Sequence, residues 1–358
     1  MNKKFEWRAL GRFKWIYILI GISWILLLIT QDEFTSTLES VFKSSVAIST
    51  FLLLIPTLSH PLARKILFYA ILYTAFMRCI VIIDYAQYDI LYSESLHGFG
   101  KDKNYSGMLL AMGTTLLLPF ILSKKVSMLY RLFSSGLSIW FLYWIFNTGS
   151  RSAVVTVFAS VLAIGYLYIV KVRGVTVKLR MVVLGFVIVV FSVSAIQSLT
   201  DKYGVLQENF IRLIEFVNGE RADINGRLEL FNMAVTKIIE NPIIGSGYGS
   251  SEYMRGKRAL THNSFVAQWI ETGLLGILSL FLFVIFVWKE IKQQIENMNY
   301  EQEQRFDLAL SLSGIPFIMM LMTLNMGTMI YFMIYLYATF EWERYYLKSI
   351  SNRKSIVI

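Results

Sequence analysis

The chain has 358 residues, of which 56% are hydrophobic and 16% charged, and it carries a formal charge of +10. A mean hydropathy of +0.55 excludes an ordinary soluble globular protein, because that much apolar surface has to face lipid. The Lys and Arg residues cluster in short connections between apolar runs, where they set membrane topology, so no nucleic-acid partner is expected.

Apolar runs of membrane-crossing length predict helical spans at about 15–30, 41–59, 66–83, 106–122, 128–146, 153–170, 181–199, 264–288, 307–324 and 327–342. The expected fold is therefore all-α: a polytopic transmembrane helical bundle of about ten spans, forming a single integral membrane domain over 1–358. The first fourteen residues carry Lys3, Lys4, Arg8, Arg12 and Lys14, and no small-residue cleavage site follows the next apolar run. They read as the flank of a retained first span. Cys79 lies inside an apolar run, facing lipid or buried as filler, and has no second cysteine to pair with.

Short cytoplasmic connections should be rich in Lys and Arg. That rule puts the N-terminus, the stretch from His60 to Lys65, Lys124 with Lys125, the run of Lys171, Arg173, Lys178 and Arg180, the segment from Lys289 to Arg305, and the C-terminal tail on the cytoplasmic side. The stretches 31–40, 84–105, 147–152 and 200–263 fall outside, and the last of these is the only long extramembrane loop, inserted between the seventh and eighth spans.

Basic residues on the outer face run against this trend and need a second reason. Arg151 sits in a short outer turn, and Arg212, Arg221, Arg227, Arg255, Lys257 and Arg258 sit in the long loop. Binding an anion supplies that reason, although several loop arginines also read as solvated surface. Within the loop, residues 226–240 predict a helix with Leu228, Phe231, Ala234, Val235 and Ile238 on one stripe, stopped by Asn241-Pro242 and lying on the membrane surface or capping the bundle. The turn Gly245-Ser246-Gly247-Tyr248-Gly249 follows; it reads as an ordinary flexible loop or as backbone N–H groups presented to an anion.

His262 stands at the outer end of the eighth span, with Asn263 and Ser264 placed to cap that helix and Glu271 nine residues further on. A histidine there can titrate near neutral pH and take a proton from a hydroxyl; spacing alone equally allows an interfacial polar residue. No paired histidines, cysteine cluster, Asp-x-Asp, Gly-Lys-Ser/Thr or Gly-x-Ser-x-Gly occurs, so no metal, cofactor, ATP site or serine hydrolase is expected.

Three motifs in order carry a resemblance. His262-Asn263 followed after nine residues by Gly273-Leu274-Leu275-Gly276 resembles the signature of the O-antigen ligase and polymerase family of bacterial membrane glycosyltransferases. Gly149-Ser150-Arg151-Ser152-Ala153 is similar to that family's Ser-Arg-Ser/Gly-Ala segment, and Gly226-Arg227 with Asn241-Pro242-Ile243-Ile244-Gly245-Ser246-Gly247 is similar to its Gly-Arg helix and Asn-Pro-x-x-Gly-x-Gly turn. The agreement covers about 147–280; elsewhere only generic spans match, and Leu228-Glu229-Leu230-Phe231 fits the ligases' Arg-x-x-x-Leu loosely.

The resemblance implies transfer of a glycan from undecaprenyl pyrophosphate on the outer face of the bacterial inner (cytoplasmic) membrane, without metal or nucleotide sugar, with both termini cytoplasmic. It implies Arg151 and Arg227 as diphosphate contacts and His262 as general base, with Arg212, Arg221, Arg255, Arg258 and Asn263 as further candidate contacts. Partners would be lipid-linked donor and acceptor glycans, membrane lipid and a chain-length regulator. The expected function is polymerisation of repeat units into O-antigen or capsule. The alternatives are an O-antigen ligase acting on a lipid A core and, from another class, a flippase or transporter of the glycolipid, hinted at by Arg78, Asp84 and Asn325.

Overall fold

The computed structural model describes residues 7–30, 60–87, 103–123, 125–148, 150–172, 224–247, 250–251, 253–254, 257–258, 263–296, 302–322 and 329–354, with short pieces at 38, 41–42, 44–50, 52 and 57. The expected span at 181–199 and parts of the one at 41–59 lie outside the described residues.

Among the described residues the fold is helical apart from one two-residue ladder. A 3-10 segment, Trp7–Phe13, leads into α1 (Lys14–Thr30), followed by α2 (Pro61–Gln87), α3 (Lys103–Leu122), α4 (Met128–Asn147) and α5 (Arg151–Val172). Then come α6 (Ile224–Glu240), the antiparallel pair β1 (Tyr253–Met254) and β2 (Lys257–Arg258), α7 (Ser264–Glu296), α8 (Gln302–Leu312), α9 (Gly314–Met320) and α10 (Met329–Lys354). Among the described residues three stretches, Arg8–Thr30, Asn104–Leu122 and Ser264–Ile295, are helices long and apolar enough to cross a membrane.

The expected continuous span at 307–324 needs correction. Its helix starts earlier, at Gln302, breaks at Ser313 and resumes only to Met320. Pro316 has no N–H to donate to Leu312, and Ser313 turns its hydroxyl onto the carbonyl of Leu310 at 2.7 Å, so the ladder cannot run through. The ladder of Tyr253 on Arg258 and Met254 on Lys257 was not expected either, since two residues a side carry no readable periodicity.

The chain divides into two compact units. The first comprises Met1–Arg64, Asp223–Glu290 and Leu321–Ile358; the second comprises Lys65–Ala222 and Ile291–Met320. In the second unit α3 is central, packing on α4, α5, α8 and α9. Its core gathers Ala75, Cys79, Leu110, Phe141, Ile145 and Val157, which places Cys79 in the interior. Close approach of α3 and α5 is set by Gly107, where an added Cβ would lie 2.3 Å from that of Ala153.

In the first unit α10 packs on the 3-10 segment, and the charged end of α10 extends beyond the expected 327–342. Glu290, with 0% of its side chain exposed, is the reason. It takes the guanidinium of Arg344 at both carboxylate oxygens, with Nη1 at 2.6 Å, and Nη2 of Arg12 at 3.0 Å. Glu341 lies 2.8 Å from Nε of Arg12 and 3.4 Å from Nη2 of Arg344. Burial opposes the charge on Arg344, but hydrogen bonding and attraction to Glu290, then to Glu341, outweigh it and raise its pKa. Two cations and two anions thus close into a neutral set, the condition under which buried charge is tolerated.

Candidate active site

The N-terminal part of α7 is built around a break. Gly273 has φ +65° and ψ −156°, so the helix stops and restarts there. Its surroundings exclude a side chain, because a Cβ would lie 2.1 Å from the carbonyl oxygen of Ile243. The break frees backbone groups that must be paired if they are buried. The turn after α6 pairs them. Ser246 N–H donates to Ile270 O at 2.7 Å, Gly247 N–H to Glu271 O at 3.1 Å, and Leu274 N–H to Ile243 O at 3.0 Å. Ser23 Oγ of α1 donates to Thr272 O at 3.2 Å.

The glycine turn is therefore a dock for α7. The reading of its N–H groups as an anion cradle is overturned for Ser246 and Gly247, whose N–H groups are committed to helix carbonyls, and for Gly245, whose N–H donates to Asn241 O at 3.0 Å. Tyr248 and Gly249 lie outside the described residues. Gly276 answers to a different neighbour. A Cβ there would lie 1.6 Å from Oγ1 of Thr272, which donates to Gln268 O and accepts from Gln268 Nε2.

Beyond the turn, Ser251 Oγ donates to Glu271 Oε1, and Lys237 Nζ of α6 donates to Ser250 O at 2.6 Å. Burial lowers the pKa of Lys237, while Glu240 and Glu271 pull it back up. α6 docks on α7 through Ala234 against Ile270, with Leu230, Met233, Ile238 and Val266 around them. The buried stripe differs from the expected one. Phe231 is 54% exposed and Met233 takes an inward place, so the stripe is rotated by the demand that small Ala234 meet Ile270.

Asn263 opens α7 as its cap, accepting at Oδ1 from Phe265 N–H at 2.9 Å and Val266 N–H at 3.2 Å. The N–H of Ser264 is tied to Leu321 O at 2.8 Å. In the same unit, the backbone of α6 carries Arg227 and that of β2 carries Arg258. His262, Arg212, Arg221 and Arg255 lie outside the described residues.

In the second unit Arg151 is the first residue of α5. Its neighbours fix that start. Ser150 Oγ accepts the N–H of Ala153 at 3.2 Å, capping the helix, and donates to Asn104 Oδ1 of α3 at 2.6 Å. Ser152 Oγ donates to the same oxygen at 3.2 Å. Asn104 went unnoticed in the sequence because nothing local links it to a motif 46 residues away. The two serines and the alanine of this motif are thus occupied in holding the first turn of α5 against α3.

These helices, long and apolar, one of them broken and held by a docked turn, define a helical membrane protein. Residues 136–282 match the family model of the O-antigen ligases (Wzy_C), the family that the motifs resemble. The match contains Arg151, Arg227 and His262 together with the broken helix and its dock. No curated protein matches the chain.

Proposed function

We propose that the protein joins undecaprenyl-pyrophosphate-linked oligosaccharide repeat units into a surface polysaccharide by inverting, metal-independent glycosyl transfer on the outer face of the cytoplasmic membrane. The observation that carries this reading is the family match over 136–282, which takes in the three motifs in their order. It is supported by the way the described motif residues are used. Ser150 and Ser152 fix the first turn of α5, Asn263 caps α7, and Gly245, Gly247 and Gly273 build the dock. The fold thus accounts for the motifs' small and polar residues, and the chemistry is assigned to Arg151, Arg227 and His262.

In this mechanism His262 takes the proton from the acceptor hydroxyl as its oxygen attacks the anomeric carbon from the face opposite the diphosphate. The new glycosidic bond forms while the bond from carbon to the diphosphate oxygen breaks, and that oxygen leaves with the electron pair. Arg151 and Arg227 neutralise the developing charge; a planar guanidinium offers two parallel N–H donors to a phosphate. Arg212, Arg221, Arg255 and Arg258 are further cations from the same loop, and Asn263 remains a candidate contact through its amide N–H groups.

Membrane sidedness has its own support. The 3-10 segment, the end of α7 and the end of α10 are all expected on the cytoplasmic side, and Arg12, Glu290, Glu341 and Arg344 join those three places.

The family's description as O-antigen ligase favours one second reading, transfer of finished polymer to a lipid A core. Purified protein given only lipid-linked repeat units under chelation should make longer lipid-linked chains. Product formed only when lipid A core is added would assign the ligase, and no new glycosidic bond with either acceptor, or an absolute need for metal, would end the proposal. His262→Ala should abolish transfer at unchanged expression.

A further inference from the structure

Asn104 lies in the first turn of α3, outside the stretch 136–282 that matches the family model, yet it holds the turn that carries Arg151. Its Oδ1 accepts from Ser150 Oγ at 2.6 Å and from Ser152 Oγ at 3.2 Å, the two residues that flank Arg151. The two hydroxyl oxygens are 3.1 Å apart, and Ser150 Oγ also accepts the N–H of Ala153. One amide oxygen therefore ties down both neighbours of the first residue of α5.

Packing alone does not ask for this link. Gly107 and Ala153 already bring α3 and α5 into close contact about one turn further along. Charge makes the choice of an amide more informative. Helix N-termini favour anionic side chains, and a carboxylate would accept from both hydroxyls at least as strongly as an amide. The first turns of α3 and α5 nevertheless contain no acidic residue, and they open on Lys103 and Arg151. The acceptor is thus neutral at a place where stability by itself favours a charged one.

We propose that Asn104 is a positioning residue for donor binding: it fixes the turn that carries Arg151 with an acceptor that bears no charge, so that the guanidinium is left for the diphosphate. This rests on the diphosphate role of Arg151 proposed above. A carboxylate at the same place, one hydrogen bond from each neighbour of Arg151, competes with the diphosphate for that cation.

The test is thermal unfolding of the full chain in neutral detergent with chelator, titrated with inorganic pyrophosphate. The midpoint of the parent should rise with pyrophosphate, and Arg151→Gln should not respond. Asn104→Ala should lower the ligand-free midpoint and raise the half-saturating pyrophosphate concentration about tenfold. Asn104→Asp separates positioning from packing, and it serves alone if Asn104→Ala does not fold. It keeps acceptors for both hydroxyls, so its ligand-free midpoint should match that of the parent, while its half-saturating concentration should stay raised by about tenfold or more. Thr114→Val removes a buried hydroxyl bonded to Leu110 O within α3 and should respond as the parent does. Saturation of either Asn104 variant at the parent's concentration, or an equal loss in Thr114→Val, would overturn the proposal and leave Arg151 as a diphosphate contact. No response in the parent, or an undiminished one in Arg151→Gln, would remove the diphosphate reading of Arg151 and this proposal with it.

Discussion

The amide of Leu274 donates to the carbonyl of Ile243 at 3.0 Å, although regular helix geometry would send it to Ile270. Ile270 instead receives Ser246, so a mid-helix bond has been exchanged for two bonds to a distant turn. Gly273→Ala should break this exchange. It combines a positive φ with a Cβ 2.1 Å from a backbone oxygen, and strain at such positions costs about 1–3 kcal/mol before the clash is counted. A drop in the unfolding midpoint in detergent, together with loss of transfer, is the expected result; an unchanged midpoint would contradict the docking.

Removing Glu290 should be far worse than removing either arginine. Glu290→Ala leaves two half-buried guanidiniums with only Glu341 between them, whereas Arg344→Met leaves Glu290 still paired with Arg12. Fluorescence-detected size exclusion after heating would rank the two variants.

Ser150→Ala should cost about 1 kcal/mol through loss of the cap on α5, and Ser150→Thr, which keeps a hydroxyl to accept from Ala153 and donate to Asn104, should restore most of it. Because Arg151 follows directly, donor KM should rise in the alanine variant and recover in the threonine one. Arg151→Lys tests the fork itself. It keeps the charge but loses bidentate geometry, and a fall of about tenfold or more in transfer rate is expected.

Lys237 gives a pH signature. Its folded pKa is lowered from 10.5, with burial the first cause, so over the window below 10.5 the unfolded chain binds the extra proton. Stability therefore rises as pH climbs through the folded value and levels off at 10.5. Lys237→Met keeps the stem and loses the titration, so its midpoint should lack this alkaline rise. Measuring both midpoints from about pH 8 to 11 checks the sign.

Much of the scaffold was legible in the sequence because it is written locally. Asn241-Pro242 ends α6, Asn263 caps α7, and apolar length marks α1, α3 and α7. What escaped is tertiary. Arg12 reads as a topology charge, and nothing in its spacing from Glu290 and Arg344 reveals that the three meet. The glycines of 245–249 were open to an anion reading because their true partners, the carbonyls of Ile270 and Glu271, exist as free acceptors only once Gly273 has broken the helix. In the same way, the buried face of α6 depends on where Ile270 stands, and periodicity alone put Phe231 on it. Of the site, the motif order was readable, whereas the part played by Asn104 was not.

Since the joint between the turn and α7 is made by main-chain atoms, its angle is blind to the side chains at Ile243, Ile244 and Ser246. Those three positions are free to drift in composition while Gly245 and Gly273 stay fixed, Gly245 hemmed in by the backbone of Glu271 and Gly273 at 2.6 Å and Gly273 by that of Ile243 at 2.1 Å. The helix that begins beside His262 is thus aimed by backbone bonds that substitutions at those three positions leave in place.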